Sequence, residues 1–117
     1  MIHQMKLKAV PFEMIENGTK TVELRLNDEK RQQIRVGDCI QFTLMNSERT
    51  ILTRVTALHK FDSFAQLFSV IPKEKYGFKS DETIPSDYMD EYYRPQEQKK
   101  YGVLGIEISK VDTNVNF

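Results

Sequence analysis

The chain has 117 residues, of which 39% are hydrophobic and 29% are charged, and its formal net charge is zero. This composition is typical of one globular domain that buries a core without disulfides, and it excludes a disordered tail, a collagen-like fibre and a disulfide-rich mini-protein. The charge balance disfavours a general polyanion binder, which needs a surplus of Lys and Arg. Any contact with nucleic acid is therefore expected to come from a local groove.

Several other classes are disfavoured by what the sequence lacks. No apolar run approaches the ~18 residues that a membrane span requires, and the first residues lack the apolar core of a signal peptide. Cys39 is the single cysteine, which suits a reducing cytoplasm, and we expect it to be a small buried residue. With only His3 and His59 beside it, and no glycine-rich phosphate loop, we expect no metal and no cofactor.

In chain order, the first elements are a short strand and a short helix. Residues 4–8 alternate between apolar and polar side chains, which predicts the strand. Pro11 is expected to begin the helix, with Phe12 and Ile15 on its buried face. Gly18 is expected to end it in the left-handed conformation.

Residues 21–26 predict a half-buried strand, because three aliphatic residues alternate with three polar ones. Glu23 and Arg25 share the polar face, about 7 Å apart along the strand. Residues 39–44 and 50–60 predict two further strands joined by a hairpin turn. Uninterrupted alternation along 50–60 would place Leu58 on the face of Arg54.

The second half of the chain is more helical. Ser63 is expected to cap a helix with an apolar stripe that ends before Pro72. The remaining predictions are a loop at 73–83, a helix at 85–93, a helical turn at 96–100, a strand at 103–108 and a frayed tail at 112–117. Many short strands with a helical insert favour an α+β fold, a small β-barrel with helices packed at its side, as a single domain over 1–117.

The segment from Gly18 to Arg25, with the sequence GTKTVELR, is the most informative. It places Lys20, Glu23 and Arg25 at the mouth of a helix–turn–strand unit, where they can bind a polar planar ligand. Arg offers a fork of donors, Glu accepts from an exocyclic amine, and Lys supplies a positive charge. The alternative is a solvated strand face with a Glu–Arg pair, worth at most ~1 kcal/mol.

This segment matches the GxKxxExR pattern of the ASCH family (activating signal cointegrator homology), and the chain resembles that family over nearly its whole length. The resemblance continues at Val36-Gly37-Asp38, at 53–58 and at 100–108. It implies a PUA-like β-barrel and a function linked to RNA. Some small bacterial members are amidohydrolases that act on N4-acetylcytidine with a Lys, a Thr nucleophile and a Glu, and others are reported as ribonucleases.

Carried over to this chain, the resemblance implies the catalytic candidates Lys20, Glu23 and Glu82. Lys20 matches the amidohydrolase lysine, and Glu82 is a loosely aligned counterpart of the acid–base Glu. The Thr nucleophile falls at Glu23, and a carboxylate does not form the same acyl-enzyme with the same ease. Thr21 shares the Glu23 face two residues away and is not an obvious replacement, whereas Thr19 precedes the strand and is a residue that can also approach the site.

The tyrosines are the second functional clue, because all five lie between residues 76 and 101. Tyr88 and Tyr92 are four residues apart, on one face of a helix, and are candidates for stacking a nucleobase. The alternative is that the tyrosines pack the helices onto the barrel, and Tyr93 and Tyr101 are the most core-like of them.

Three functions follow. The preferred one is an RNA- or nucleotide-binding domain whose cleft is lined by Lys20, Glu23, Arg25, Tyr88 and Tyr92. The alternative is a hydrolase, either amidohydrolase-like or a ribonuclease. The third is a protein-interaction domain, which would be favoured if the charged residues were buried in mutual ion pairs with no pocket beside them.

Overall fold

The computed structural model describes residues 1–111, so the tail predicted at 112–117 lies outside the described residues. The strands and helices of this part, in chain order, are β1 (Ile2–Leu7), α1 (Ala9–Glu16), β2 (Val22–Leu26), β3 (Cys39–Leu44), β4 (Thr50–Phe61), α2 (Phe64–Val70), α3 (Pro95–Tyr101) and β5 (Val103–Lys110). Short 3-10 helices occur at Arg31–Gln33, Lys73–Tyr76 and Tyr88–Glu91. The predicted α+β class is confirmed. No helix in the described part is long and apolar enough to cross a bilayer.

The five strands over residues 1–111 form one curled sheet in the order β1-β3-β4-β5-β2. β1 pairs with β3 in parallel, and the other neighbours are antiparallel. The edge strands β1 and β2 do not pair with each other. The Arg25 guanidinium instead donates to the Lys6 carbonyl oxygen at 3.1 Å and joins the two edges. The sheet is therefore a half-barrel, and the Arg25 side chain connects its two open edges.

A β-bulge in β4 corrects the prediction of uninterrupted alternation. The partners of β4 on β5 change register between Val55 and Ala57, so that Thr56 is the extra residue. A bulge bends a strand and increases its twist, which helps this long strand to follow the curl. Beyond it the faces exchange, and Leu58 packs against the core instead of sharing the face of Arg54.

Two apolar clusters form the core on opposite faces of the sheet. The first lies between the sheet and α1 and contains Phe12, Phe42 and Ile106. The second lies under α2 and contains Val22 and Leu67 among others. Because both faces of β2 are covered, the prediction that this strand is half-buried is wrong. The alternation identified the apolar face correctly but gave no sign that the polar face would also be covered.

The irregular segment between α2 and α3 differs most from the predictions. The expected loop at 73–83 begins with the 3-10 helix Lys73–Tyr76, and Tyr76 is only 4% exposed because its hydroxyl donates to the Ile71 carbonyl within the second cluster. The helix expected at 85–93 is reduced to Tyr88–Glu91. Tyr76, rather than Tyr93 or Tyr101, is thus the most core-like tyrosine. Cys39 is partly exposed rather than buried, because it lies next to the edge strand β1.

Candidate functional site

The turn after α1 places the first charged residue of the GTKTVELR segment. α1 ends at Glu16 with Asn17 as its C-cap, and Gly18 takes a positive φ of 83°, as the sequence predicted. The Lys20 backbone N–H then donates to the Met14 carbonyl at 3.0 Å, and the Thr21 N–H donates to the Lys75 carbonyl at 2.8 Å. These bonds fix the chain direction where β2 begins, so the Lys20 side chain lies beside that of Glu23.

Glu23 is the centre of a buried ion-pair cluster, which we call the triad: Lys20, Glu23 and Arg25. Lys20 Nζ lies 2.8 Å from Glu23 Oε1. Arg25 Nε donates to Glu23 Oε2 at 2.8 Å, and Arg25 Nη2 lies at the same distance from that oxygen. Glu23 is 3% exposed, so the carboxylate is bound from both sides and almost removed from water.

The strand pairing explains why a carboxylate lies so deep. In the antiparallel register, Glu23 is opposite Ile106 and Arg25 is opposite Leu104. Both aliphatic partners belong to the first core cluster. The triad therefore lies at the border of the apolar interior, where an unpaired charge would be costly and a paired one is retained.

Burial and charge act on Glu23 in opposite directions. Burial alone would raise the pKa of the carboxyl, but the positive charges of Lys20 and Arg25 and the hydrogen bonds that they donate lower the pKa to about 2. Burial would likewise lower the pKa of the Arg25 guanidinium, but the Glu23 carboxylate raises it. At neutral pH both groups are charged, and Glu23 is a poor proton donor and a weak base.

The triad lines a cleft of about 820 Å³. Its lining combines the triad and the segment from Lys6 to Pro11 with residues of the irregular segment between α2 and α3. The volume falls in the range of about 300–1,000 Å³ that is typical of small-molecule sites. The charged residues are thus buried in mutual ion pairs, but a pocket lies beside them. A protein-interaction domain, which would be favoured by such ion pairs without a pocket, is therefore not favoured.

The structure brings the other candidate residues to the same cleft. Glu82, Tyr88 and Tyr92 all line it. The Tyr88 and Tyr92 rings lie with their centroids 5.9 Å apart, and Lys8 Nζ lies 5.7 Å from the centroid of the Tyr92 ring. Tyr92 is 48% exposed at the mouth. The Glu82 carboxylate is exposed and accepts a hydrogen bond from the Lys79 N–H at 2.7 Å, while Thr19 and Thr21 are not among the residues that line the cleft.

The phenols in the wall stay protonated at neutral pH. Burial, helped by the hydrogen bond with Tyr92, raises the pKa of Tyr88 to about 12. Burial also raises the pKa of Tyr76 to about 12, with a contribution from Glu74, and it raises the pKa of Tyr93 although Arg25 opposes it. These side chains can stack or donate hydrogen bonds, but they cannot accept a proton.

Sequence reasoning missed part of the cleft wall. Tyr76, Gly77 and Phe78 line the cleft, although the sequence around them reads as a polar loop. The signal was the pair of aromatic residues on either side of a glycine. Gly77 has a φ of 102°, which only glycine adopts easily, and a Cβ there would lie 2.6 Å from Met14 Sδ. The left-handed conformation of this turn therefore favours glycine, while the flexible Met14 side chain can move away from a Cβ.

The sequence and the fold together assign the chain to a family. The model of the ASCH domain matches residues 5–112, and the chain belongs to the ASCH domain family. It is similar to the hypothetical protein PH0355, known from a crystal structure, with 31% identity, coverage of 95% of this chain and 100% of that one, and a TM-score of 0.82. It is also similar to the protein PF0455 from Pyrococcus furiosus, known from a solution NMR structure, with 30% identity, coverage of 96% and 99%, and a TM-score of 0.73.

A search of curated proteins finds no match to the chain. The predicted ASCH membership and PUA-like architecture are confirmed by the family match and the shared fold. The family supports a general RNA-binding or hydrolase-like domain.

Proposed function

We propose that this protein is an RNA-binding domain that holds a nucleobase in the cleft beside the triad. The observation that carries the proposal is the composition of the cleft lining, in which polar donors and aromatic rings surround one cavity of about 820 Å³. A nucleobase needs both features, since its faces stack on aromatic rings and its edge exchanges hydrogen bonds.

The triad presents mainly donors to a ligand. Glu23 uses both of its oxygens on Lys20 and Arg25. An ammonium group has three donors and a guanidinium has five, so both cations keep donors that the ion pairs do not use. Carbonyl oxygens and ring nitrogens on a base edge are suitable acceptors. The net charge of the triad is only +1, which suits a polar neutral edge better than a dense anion.

The triad is less suited to hydrolysis. With a pKa of about 2, Glu23 does not protonate a leaving group at neutral pH. The Lys20 side chain is held 2.8 Å from the Glu23 carboxylate and is therefore already engaged in an ion pair. We therefore place binding ahead of the amidohydrolase and ribonuclease alternatives for Lys20, Glu23 and Glu82.

Binding can be tested by titrating single-stranded RNA and single nucleosides into the protein while recording backbone amide NMR spectra. Tyr92→Ala removes an exposed ring at the mouth, and Val70→Ala, which also removes exposed apolar surface but lies outside the cleft, is the matched control. Loss of one stacked base costs about 1–3 kcal/mol, which is about 5- to 150-fold in affinity. We expect this loss in Tyr92→Ala and none in Val70→Ala.

A second variant tests the polar part of the cleft lining. Arg25→Lys keeps a positive charge next to Glu23 but removes the fork of donors. We expect weaker binding with an unchanged circular dichroism spectrum. Unchanged affinity for RNA, nucleosides and nucleotides alike in both variants would refute the proposal. Turnover of N4-acetylcytidine or of labelled RNA that disappears in Lys20→Ala would favour the hydrolase instead.

A further inference from the structure

A second pocket, of about 510 Å³, lies at the junction of β4, α3 and the end of β2, and we call it the lysine pocket. Its wall includes Lys60 from β4 and Lys99 and Lys100 from α3, with Asp62 as the single carboxylate among its lining residues. It shares no lining residue with the cleft. The two cavities are therefore separate sites with different chemistry.

The backbone around Gly102 assembles the lysine pocket. Gly102 has a φ of 72°, and a Cβ there would lie 2.9 Å from the Phe61 carbonyl oxygen. The Gly102 carbonyl accepts a hydrogen bond from the Asn27 N–H at 3.1 Å. This close approach brings the end of β4 next to the end of α3, so that Lys60 lines the same pocket as Lys99 and Lys100.

The lining of the lysine pocket carries a net positive charge, because three lysines face one carboxylate. Within residues 1–111, the ammonium groups of Lys60, Lys99 and Lys100 take part in no ion pair, whereas Lys20 has a carboxylate 2.8 Å away. Lys100 Nζ also lies 5.0 Å from the centroid of the Tyr101 ring, which is within cation–π distance. Unpaired ammonium groups around a concave surface attract an anion.

We propose that the lysine pocket binds a phosphate group, and that in an RNA complex this is a backbone phosphate of the same strand whose base occupies the cleft. The part of the proposal that concerns RNA rests on the proposed function, while phosphate binding does not. Arg25 lines the cleft and Asn27 lines the lysine pocket. Two residues of extended chain span about 7 Å, so lining residues of the two cavities lie about 7 Å apart at the end of β2.

The test compares two double variants that remove the same charge. Lys99→Ala with Lys100→Ala alters the lysine pocket and introduces good helix formers into α3. Lys75→Ala with Lys79→Ala is the control, since neither residue lines either cavity. Each protein is titrated with inorganic phosphate, with a nucleoside and with single-stranded RNA, and RNA affinity is measured at several salt concentrations.

With inorganic phosphate, we expect amide shifts confined to the lysine pocket in the unmodified protein and in the control. In the pocket variant we expect phosphate affinity to fall about tenfold, the loss of one charge-assisted contact. For single-stranded RNA, each phosphate that the protein no longer neutralises reduces the slope of log K against log salt by about 0.7, so the pocket variant, which loses one backbone phosphate, should lose about 0.7. Nucleoside binding, which involves no phosphate, should not change.

The outcomes separate the two proposals. Failure of nucleosides to bind the unmodified protein would contradict the proposed function, while phosphate shifts at Lys60, Lys99 and Lys100 would still support the lysine pocket. Equal losses of RNA affinity and salt dependence in both double variants would overturn the lysine pocket, as would phosphate shifts spread over lysines outside it. A third outcome is that inorganic phosphate binds to the lysine pocket of the unmodified protein but the RNA salt slope is the same in the unmodified protein and the pocket variant. This result would assign the pocket to a free phosphate or nucleotide and overturn its link to the RNA strand.

Discussion

Replacing Glu23 by Gln should lower the free energy of unfolding strongly, although the two side chains have nearly the same size. The substitution keeps the shape of the side chain but leaves the Lys20 ammonium and the Arg25 guanidinium without their shared carboxylate. Removing one partner of a buried ion pair typically costs about 3–5 kcal/mol, because an uncompensated charge stays behind. We expect a loss of this size in the free energy of unfolding at neutral pH.

The pKa of Glu23 gives an independent value for the contribution of this ion-pair cluster to the free energy of unfolding. It falls from the usual 4.5 to about 2 on folding, and at about 1.4 kcal/mol per pKa unit this corresponds to about 3 kcal/mol. Because the pKa is lower in the folded protein, this stabilisation is fully present above about pH 4.5 and is lost as the pH falls toward about 2. The difference in stability between the unmodified protein and Glu23→Gln should therefore shrink over that range.

Glu16→Gln is the matched control. Glu16 pairs with Arg49 at 2.8 Å, but the two side chains are 43% and 55% exposed. Exposed pairs of this kind contribute about 0–1 kcal/mol, so we expect a loss below about 1 kcal/mol. The two variants thus change the same residue type in the same way and differ in the burial of the ion pair.

The assay is urea denaturation followed by far-UV circular dichroism, at pH values from about 7 to about 3. Equal losses in Glu23→Gln and Glu16→Gln at neutral pH would show that burial of the triad contributes nothing. A Glu23→Gln deficit that stays constant on acidification would show that the cost does not come from the carboxylate charge. Either result would refute the reasoning.

Two further predictions concern the backbone and a helix end. Gly102→Ala should destabilise the protein more than Gly37→Ala. Both glycines have positive φ values, which alone cost a non-glycine residue about 1–3 kcal/mol, but only at Gly102 would a Cβ also meet the Phe61 carbonyl oxygen, at 2.9 Å. Equal denaturation midpoints of the two variants would contradict the prediction. Ser63→Ala should cost about 1 kcal/mol in urea denaturation, because the Ser63 hydroxyl caps α2 by accepting from the Gln66 N–H. Ser63→Asp should restore most of that loss, and a failure to do so would mean that the cap is not the cause.

The sequence alone determined the features that depend on near neighbours in the chain. Alternation located the strands, Gly18 ended α1, and Ser63 began α2. The charged segment that ends at Arg25 also indicated a site, because spacing along a strand fixes which side chains share a face. All of these depend on periodicities of a few residues, which the sequence displays directly.

Only the tertiary structure decided what covers each face. The bulge at Thr56 exchanges the two faces to which the side chains of the second half of β4 point, and no local sequence pattern indicates this bulge. The polar face of β2 became buried because distant segments fold over it, and that burial turned a Glu–Arg strand pair into a desolvated triad with a strongly lowered Glu23 pKa. The lysine pocket likewise exists because Gly102 lets two remote elements meet. Burial and charge convergence are properties of contacts between distant parts of the chain, so they appear only once the chain has folded.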